Sequence, residues 1–94
     1  MATVGVLTLE LRLENSHSLK EKRHVVESLK TRLRNKFNVA VAEIDYQDLW
    51  QRAALAAVTV SSSQVHAEKV LQSVEEEASS LLGPELASAT VEWL

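Results

Sequence analysis

The stretch TVGVLTLELRLE, residues 3–14, places Leu7, Leu9, Leu11 and Leu13 on one side of an extended chain. Thr8, Glu10, Arg12 and Glu14 fall on the other side. A two-residue period sustained this long specifies a strand with one buried face, which needs an apolar layer laid against it. Val4 and Val6 continue the polar set toward the N-terminus, so the second face is not wholly polar.

The next segment supplies part of that layer. Ser18 followed three residues later by Glu21 is a capping box, in which each side chain satisfies a free backbone N–H at a helix start. Leu19, Val26, Leu29, Leu33 and Phe37 then recur at helical spacing on one face. Lys22 points into the same arc, so either its stem passes the core edge into water or its amine has a specific partner. FNVAVAEI, 37–44, is β-branched and Ala-rich and predicts a short strand; DYQDLWQ is a polar loop carrying two aromatics. RAALAAVTVSS, 52–62, has no charge after Arg52, the composition of a covered central strand, and Val58, Thr59 and Val60 favour strand over helix. Serines 61–63 can cap a second helix with the stripe Ala67, Val70, Leu71, Val74, Ala78, Leu81 and Leu82. Gly83 and Pro84 stop it, and ELASATVEWL closes the chain as a last strand.

The order β-α-β-β-α-β is the split βαβ arrangement. The predicted architecture is α+β and ferredoxin-like: a single domain over residues 1–94, with a four-stranded antiparallel sheet and two helices on one face. The leucine strand and the alanine strand should be central. Ninety-four residues suit one small domain. No apolar run is long enough to span a bilayer. MATVGVLTLELRLE lacks the basic start of a signal peptide, so a cytoplasmic protein with no membrane contact is expected.

Many activities share this architecture, so residues must decide among them. An acylphosphatase needs a glycine-rich phosphate loop after the first strand; ENSHSLKEKR has no glycine. Amino-acid-binding regulatory domains of this topology also place a glycine turn there. The absence of cysteine removes iron–sulfur clusters, thiolate metal sites and disulfides. An RNA-recognition motif stacks bases on aromatics of its central strands, which here carry Leu, Ala, Val and Thr. His17, His24 and His66 are not joined by acids at ligand spacing, and the serines cluster at helix caps. The expectation is a protein with no cofactor, no metal and no catalytic group. An enzyme on a small phosphorylated substrate is the least favoured reading.

Two surfaces remain. The net charge is −3, yet residues 17–37 hold seven of the ten Lys and Arg against Glu21 and Glu27, so that segment is cationic on an acidic chain. On a helical wheel Lys20, Arg23, Lys30 and Arg34 form a stripe broken only by Glu27, with Arg32 and Lys36 on the opposite flank. The helix dipole favours cations at the C-terminal end but not Lys20, Lys22 and Arg23 at the start. These either pair with acids of the same chain, Glu10, Glu14 or the run 75–77, or face an anion. Lys20, Lys22, Arg23, Lys30 and Arg34 are therefore the candidates for nucleic-acid binding. Asp48, Trp50 and Arg52 in DLWQR are the candidates for a partner site. The plainer reading makes Asp48 a turn cap and Trp50 the cover of the sheet end, in which case truncating Trp50 costs about 3–5 kcal/mol.

SLKEKRHVVESLKTRLRNKFNVAVAE followed by DLWQRAAL resembles the small bacterial family DUF503, the YlxP-like proteins. The match runs from the first strand through the third, and the last helix and strand fit by length and pattern. Its motif residues stand here as Ser18, Leu19, Lys20, Glu21, Lys22, Arg23, Phe37, Asp48, Leu49, Trp50, Gln51 and Arg52. The resemblance implies the ferredoxin-like fold and no defined activity. Genes of the family lie beside those for translation initiation and ribosome maturation, which implies a ribosomal RNA or ribosomal-subunit partner.

The leading expectation is thus a non-catalytic RNA- or ribosome-associated binding module. The alternative is a protein-interaction or structural homodimer module. Self-association is expected through the sheet face away from the helices, which should be apolar in its middle and charged at one end, or through an edge strand.

Overall fold

A computed structural model of the chain describes residues 1–94. Its elements are β1 (Thr3–Arg12), α1 (Leu19–Lys36), β2 (Ala40–Asp45), β3 (Arg52–Ser61), α2 (Gln64–Leu82) and β4 (Leu86–Trp93), with a short 3₁₀ turn at Gly83–Glu85 between α2 and β4. The strands form one antiparallel sheet in the order β2-β3-β1-β4, with the leucine and alanine strands central. This is the ferredoxin-like arrangement. β1 and β3 pair along their whole length, from Thr3 opposite Ser61 to Arg12 opposite Arg52.

The leucine alternation drives the packing. Leu7, Leu9, Leu11 and Leu13 are all buried, although the strand ends at Arg12 and Leu13 is held by its N–H donating to the Gln51 carbonyl at 2.9 Å. From β3, Ala53, Leu55, Ala57 and Thr59 turn to the same side, as the register with β1 requires. The buried Thr59 hydroxyl donates to the Asn38 carbonyl at 2.9 Å. Above this layer lie Val26, Leu29 and Leu33 of α1 and Ala67, Leu71, Val74, Ala78 and Leu82 of α2. Phe37 and Val39 pack on the core from the connection ahead of β2, so that strand begins three residues later than its composition suggests. Leu81 is exposed rather than part of the buried stripe.

The helix ends follow the sequence signals. The Ser18 hydroxyl accepts from the Glu21 N–H at 3.1 Å, and the Glu21 carboxylate accepts from the His17 N–H at 2.7 Å, one residue beyond the usual capping-box partner. Ser63 caps α2 by accepting from the His66 N–H. Gly83 takes a positive φ of 56° at the end of α2, where a side chain would be strained. Gly5 has a different purpose. It lies opposite Trp93 in the β1–β4 register, and a Cβ there would stand 2.6 Å from the indole and 2.8 Å from Leu71. The missing side chain makes room for that ring.

The second sheet face has no helix on it. It carries Val4, Val6, Thr8, Glu10 and Arg12 from β1 and Arg52, Ala54, Ala56, Val58 and Val60 from β3. β2 adds Ala40 and Ala42, and β4 adds Ser88, Thr90 and Glu92.

Candidate nucleic-acid interface

α1 divides its cations into two kinds, those held by acids of the same chain and those left free. On the flank toward α2, Arg32 Nε and Lys36 Nζ reach the two oxygens of Glu77 at 2.9 and 2.6 Å. These bonds, Lys36 first and then Arg32, hold the Glu77 carboxyl below its ordinary value of 4.5. Glu77 thereby ties the C-terminal half of α1 to α2, and one member of the acidic run 75–77 is an internal partner.

Lys22 departs from the sequence-based assignment. Its position at the positive end of the helix groups it with the phosphate-facing cations, but it is 3% exposed. Its ammonium donates to the Tyr46 carbonyl at 2.5 Å and lies 2.9 Å from Glu43 Oε2. The physical reason is its place in the apolar arc of α1, which aims the side chain at β2 and the β2–β3 loop. Glu43 Oε2 is itself buried and has no other hydrogen-bond donor, so the ammonium is what compensates that charge. Lys22 is a fastener between α1 and the loop, out of reach of a polyanion.

Lys30 is half withdrawn. Its side chain is mostly covered, and its ammonium pairs with Glu27 one turn earlier at 3.5 Å. Lys20, Arg23 and Arg34 are exposed and enter no ion pair. The fourteen residue steps from Lys20 to Arg34 span about 21 Å of helix. This stripe lies on the flank of α1 away from Glu77 and α2. Glu27 stands within the stripe as an exposed acid, its charge met by Lys30.

The DLWQR segment sits at the start of the same helix. Gln51 Nε2 donates to the Glu14 and Ser16 carbonyls at 3.2 and 3.4 Å, which fastens the loop to the segment leading into Ser18. Lys22 fastens it from the helix side. Tyr46 takes a positive φ of 63° and its carbonyl accepts from the Leu49 N–H. The side-chain acceptor in this turn is Asp45, bonded to the Tyr46 N–H at 2.7 Å, and not Asp48. Arg52 lies over the Tyr46 ring at 4.0 Å and beside Glu10 at the same distance. Trp50 does not cover the sheet end. It is 52% exposed and stands beside Leu49, also exposed. The loop is tied by its polar atoms, which leaves the two large apolar side chains facing solvent. The role of Gln51 had no signal of its own in the sequence, because a glutamine in a polar loop reads as solvated.

No three His, Asp or Glu side chains converge in a way that would hold a metal ion. His17, His24 and His66 are all exposed. No helix is long and apolar enough to cross a membrane.

Fold and surface together define a small ferredoxin-like domain whose helix layer carries a free cationic flank and a fastened, aromatic-tipped loop. Comparison with known proteins places it further. The sequence model of the family described as "Protein of unknown function (DUF503)" matches residues 4–91, and the chain belongs to that family. The uncharacterized protein YlxP of Bacillus subtilis (strain 168) is 48% identical over 71 residues, 76% of this chain and 77% of that one.

Among solved structures, the de novo designed protein Foldit4 superposes with a TM-score of 0.62 at 10% identity, covering 100% of this chain and 97% of that one. The YXEP protein of Bacillus subtilis, a dinuclear metal-binding peptidase of the M20 family, gives 0.61 at 12% identity over 100% of this chain. The chain spans only 26% of that peptidase. A dimeric ferredoxin-like protein of unknown function from Thermobifida fusca gives 0.57 at 14% identity, over 99% of this chain and 90% of that one. At such identities these likenesses show the fold alone.

Proposed function

We propose that the protein is a non-catalytic, cytoplasmic binding module that holds RNA by its phosphates during ribosome maturation or translation. The contacts are Lys20, Arg23 and Arg34, with Lys30 weaker because Glu27 already draws its charge. One observation carries this reading. After every ion pair within the chain is accounted for, three cations stay exposed along one helix flank of an acidic protein. A charge-mixed solvated helix would have spent them on neighbouring acids. The gene neighbourhood implied by the family resemblance supports ribosomal RNA as the polyanion.

Phosphate contacts of this kind position a protein without reading sequence. Three of them on a single strand give a slope of about −2 in log affinity against log salt, so raising salt from 50 to 200 mM should weaken binding roughly twentyfold. The test is co-sedimentation with ribosomal subunits, and retention on immobilised ribosomal RNA, across that salt range. The wild type should be retained at low salt and released at high salt, and the triple variant Lys20→Glu, Arg23→Glu, Arg34→Glu should not be retained. Retention of that variant overturns the reading.

The exposure of Trp50 and Leu49 favours a second reading, in which the loop docks a protein. Trp50→Ala should then abolish capture of that partner while RNA retention and the melting temperature stay near wild type.

A further inference from the structure

The face of the sheet that bears no helix is where the molecule is least finished. Its apolar patch is built by Val58 and Val60 of β3, Val4 and Val6 of β1, and Ala40 and Ala42 of β2, and it runs from the middle of the face, where Thr8 stands opposite Ala56, to the end away from Arg12 and Arg52. Val60 is 56% exposed, and Ile44 at the end of β2 is 50% exposed. A sheet face that meets water normally alternates apolar-in with polar-out. β3 does not alternate: beyond Arg52 it has only small or apolar side chains on this side. The charged groups gather at one end, with one more on the β4 edge. Glu10, Arg12 and Arg52 lie at one end, Asp45 on the β2 edge and Glu92 on the β4 side.

We infer that this face is the contact between two copies of the chain, packed sheet against sheet. An apolar patch bordered by charged groups is a composition that protein interfaces use. The charged border decides for a second copy over a partner of opposite charge. Two cations against three acids leave it close to neutral, so the face meets itself without strong repulsion and offers little to a highly charged protein. The size also fits. Four strands spaced about 4.8 Å and averaging roughly 27 Å long give a footprint of about 500 Å² on each copy. The total of about 1,000 Å² is at the lower bound of specific interfaces.

Both helices lie on the far side of the sheet from this contact. The dimer therefore keeps the flank bearing Lys20, Arg23 and Arg34 in solvent, and presents it twice, on opposite outer faces.

Sedimentation equilibrium from micromolar to submillimolar concentration tests the inference. The wild type should pass from 10.4 kDa toward twice that mass. Val58→Lys places an ammonium between two apolar faces with no partner there, and should weaken association by about a hundredfold or more. Val60→Lys acts at a more exposed position, outside the core, and should also return the monomer while its melting curve shows a folded chain. Lys20→Glu, on the other side of the molecule, should leave the mass distribution unchanged. A wild-type mass of 10.4 kDa at every concentration overturns the inference, and so does a dimer that survives both lysine substitutions.

Discussion

Lys20 and Lys22 are two residues apart on one helix, and the structure gives them opposite consequences when the charge is removed. Lys22→Met keeps the apolar stem and deletes the ammonium. The Tyr46 carbonyl loses one of its two donors and keeps the Leu49 N–H, and Glu43 Oε2 keeps a buried negative charge with nothing opposite it. Removing one member of a buried ion pair typically costs about 3–5 kcal/mol, mainly through the charge left behind. The Glu43 side chain is still 22% exposed and can draw in water. That puts the expected loss at the low end, about 3 kcal/mol. For a domain of this size each kcal/mol moves the midpoint by about 4–8 °C, so the variant should melt roughly 12–24 °C lower. Urea denaturation should show a lower midpoint with an unchanged slope. The double variant Lys22→Met, Glu43→Leu should recover part of the loss, since it removes the stranded carboxylate as well. Lys20→Met should change stability by no more than about 0.5 kcal/mol. A Lys22→Met protein as stable as the Lys20→Met protein would show that the ammonium fastens nothing.

Glu77→Gln addresses the link between the helices. The folded carboxyl is held below its ordinary value of 4.5 by Lys36 and Arg32, so its contribution is complete above that pH and is lost as pH falls through the lowered value. The wild type should therefore lose more stability than Glu77→Gln on acidification through and below pH 4.5, and parallel acid profiles would count against the clamp. Gly5→Ala should cost about 1–3 kcal/mol by overpacking, since its methyl meets the Trp93 ring and Leu71. In a Trp50→Phe background the emission of Trp93 should shift to the red as the ring is displaced, and an unshifted spectrum at wild-type stability would refute the packing argument.

The fold was legible because its two strongest signals have no competing interpretation. Leu7, Leu9, Leu11 and Leu13 suit only a half-buried strand, and Arg52 followed by nine residues without charge suits only a covered one. Ser18, Ser63 and Gly83 then mark the helix ends through bonds and dihedrals set within a few residues. What the pattern missed was also local. Phe37 and Val39 are apolar because they pack under α1 on the way to β2, and β-propensity counts such residues as strand. Trp50 was expected to be buried because large aromatics usually are, but its neighbours Gln51 and Lys22 use their polar groups to hold the loop from two sides and leave the indole no cavity to fill.

The charged surface was only half legible, for a different reason. Periodicity gives the flank on which a cation lies and says nothing about which acid comes to it from another element. Glu77 is 41 residues from Lys36, and Glu43 is 21 from Lys22; both pairings exist only once the sheet and helices are assembled. Lys22 was distinguishable in principle, since it is the one cation of α1 inside the apolar arc, and a lysine there must be matched by a buried acceptor or escape to water. The same argument run forward explains the free stripe. β2 is the edge strand on this side, and its one acid facing the helix layer, Glu43, is already taken by Lys22. With that acid spent, no other element on this side brings a carboxylate to Lys20, Arg23 or Arg34. The internal fastener and the free cationic flank are therefore one arrangement: the lysine inside the arc takes the local acid, and the cations outside it are left without an ion pair.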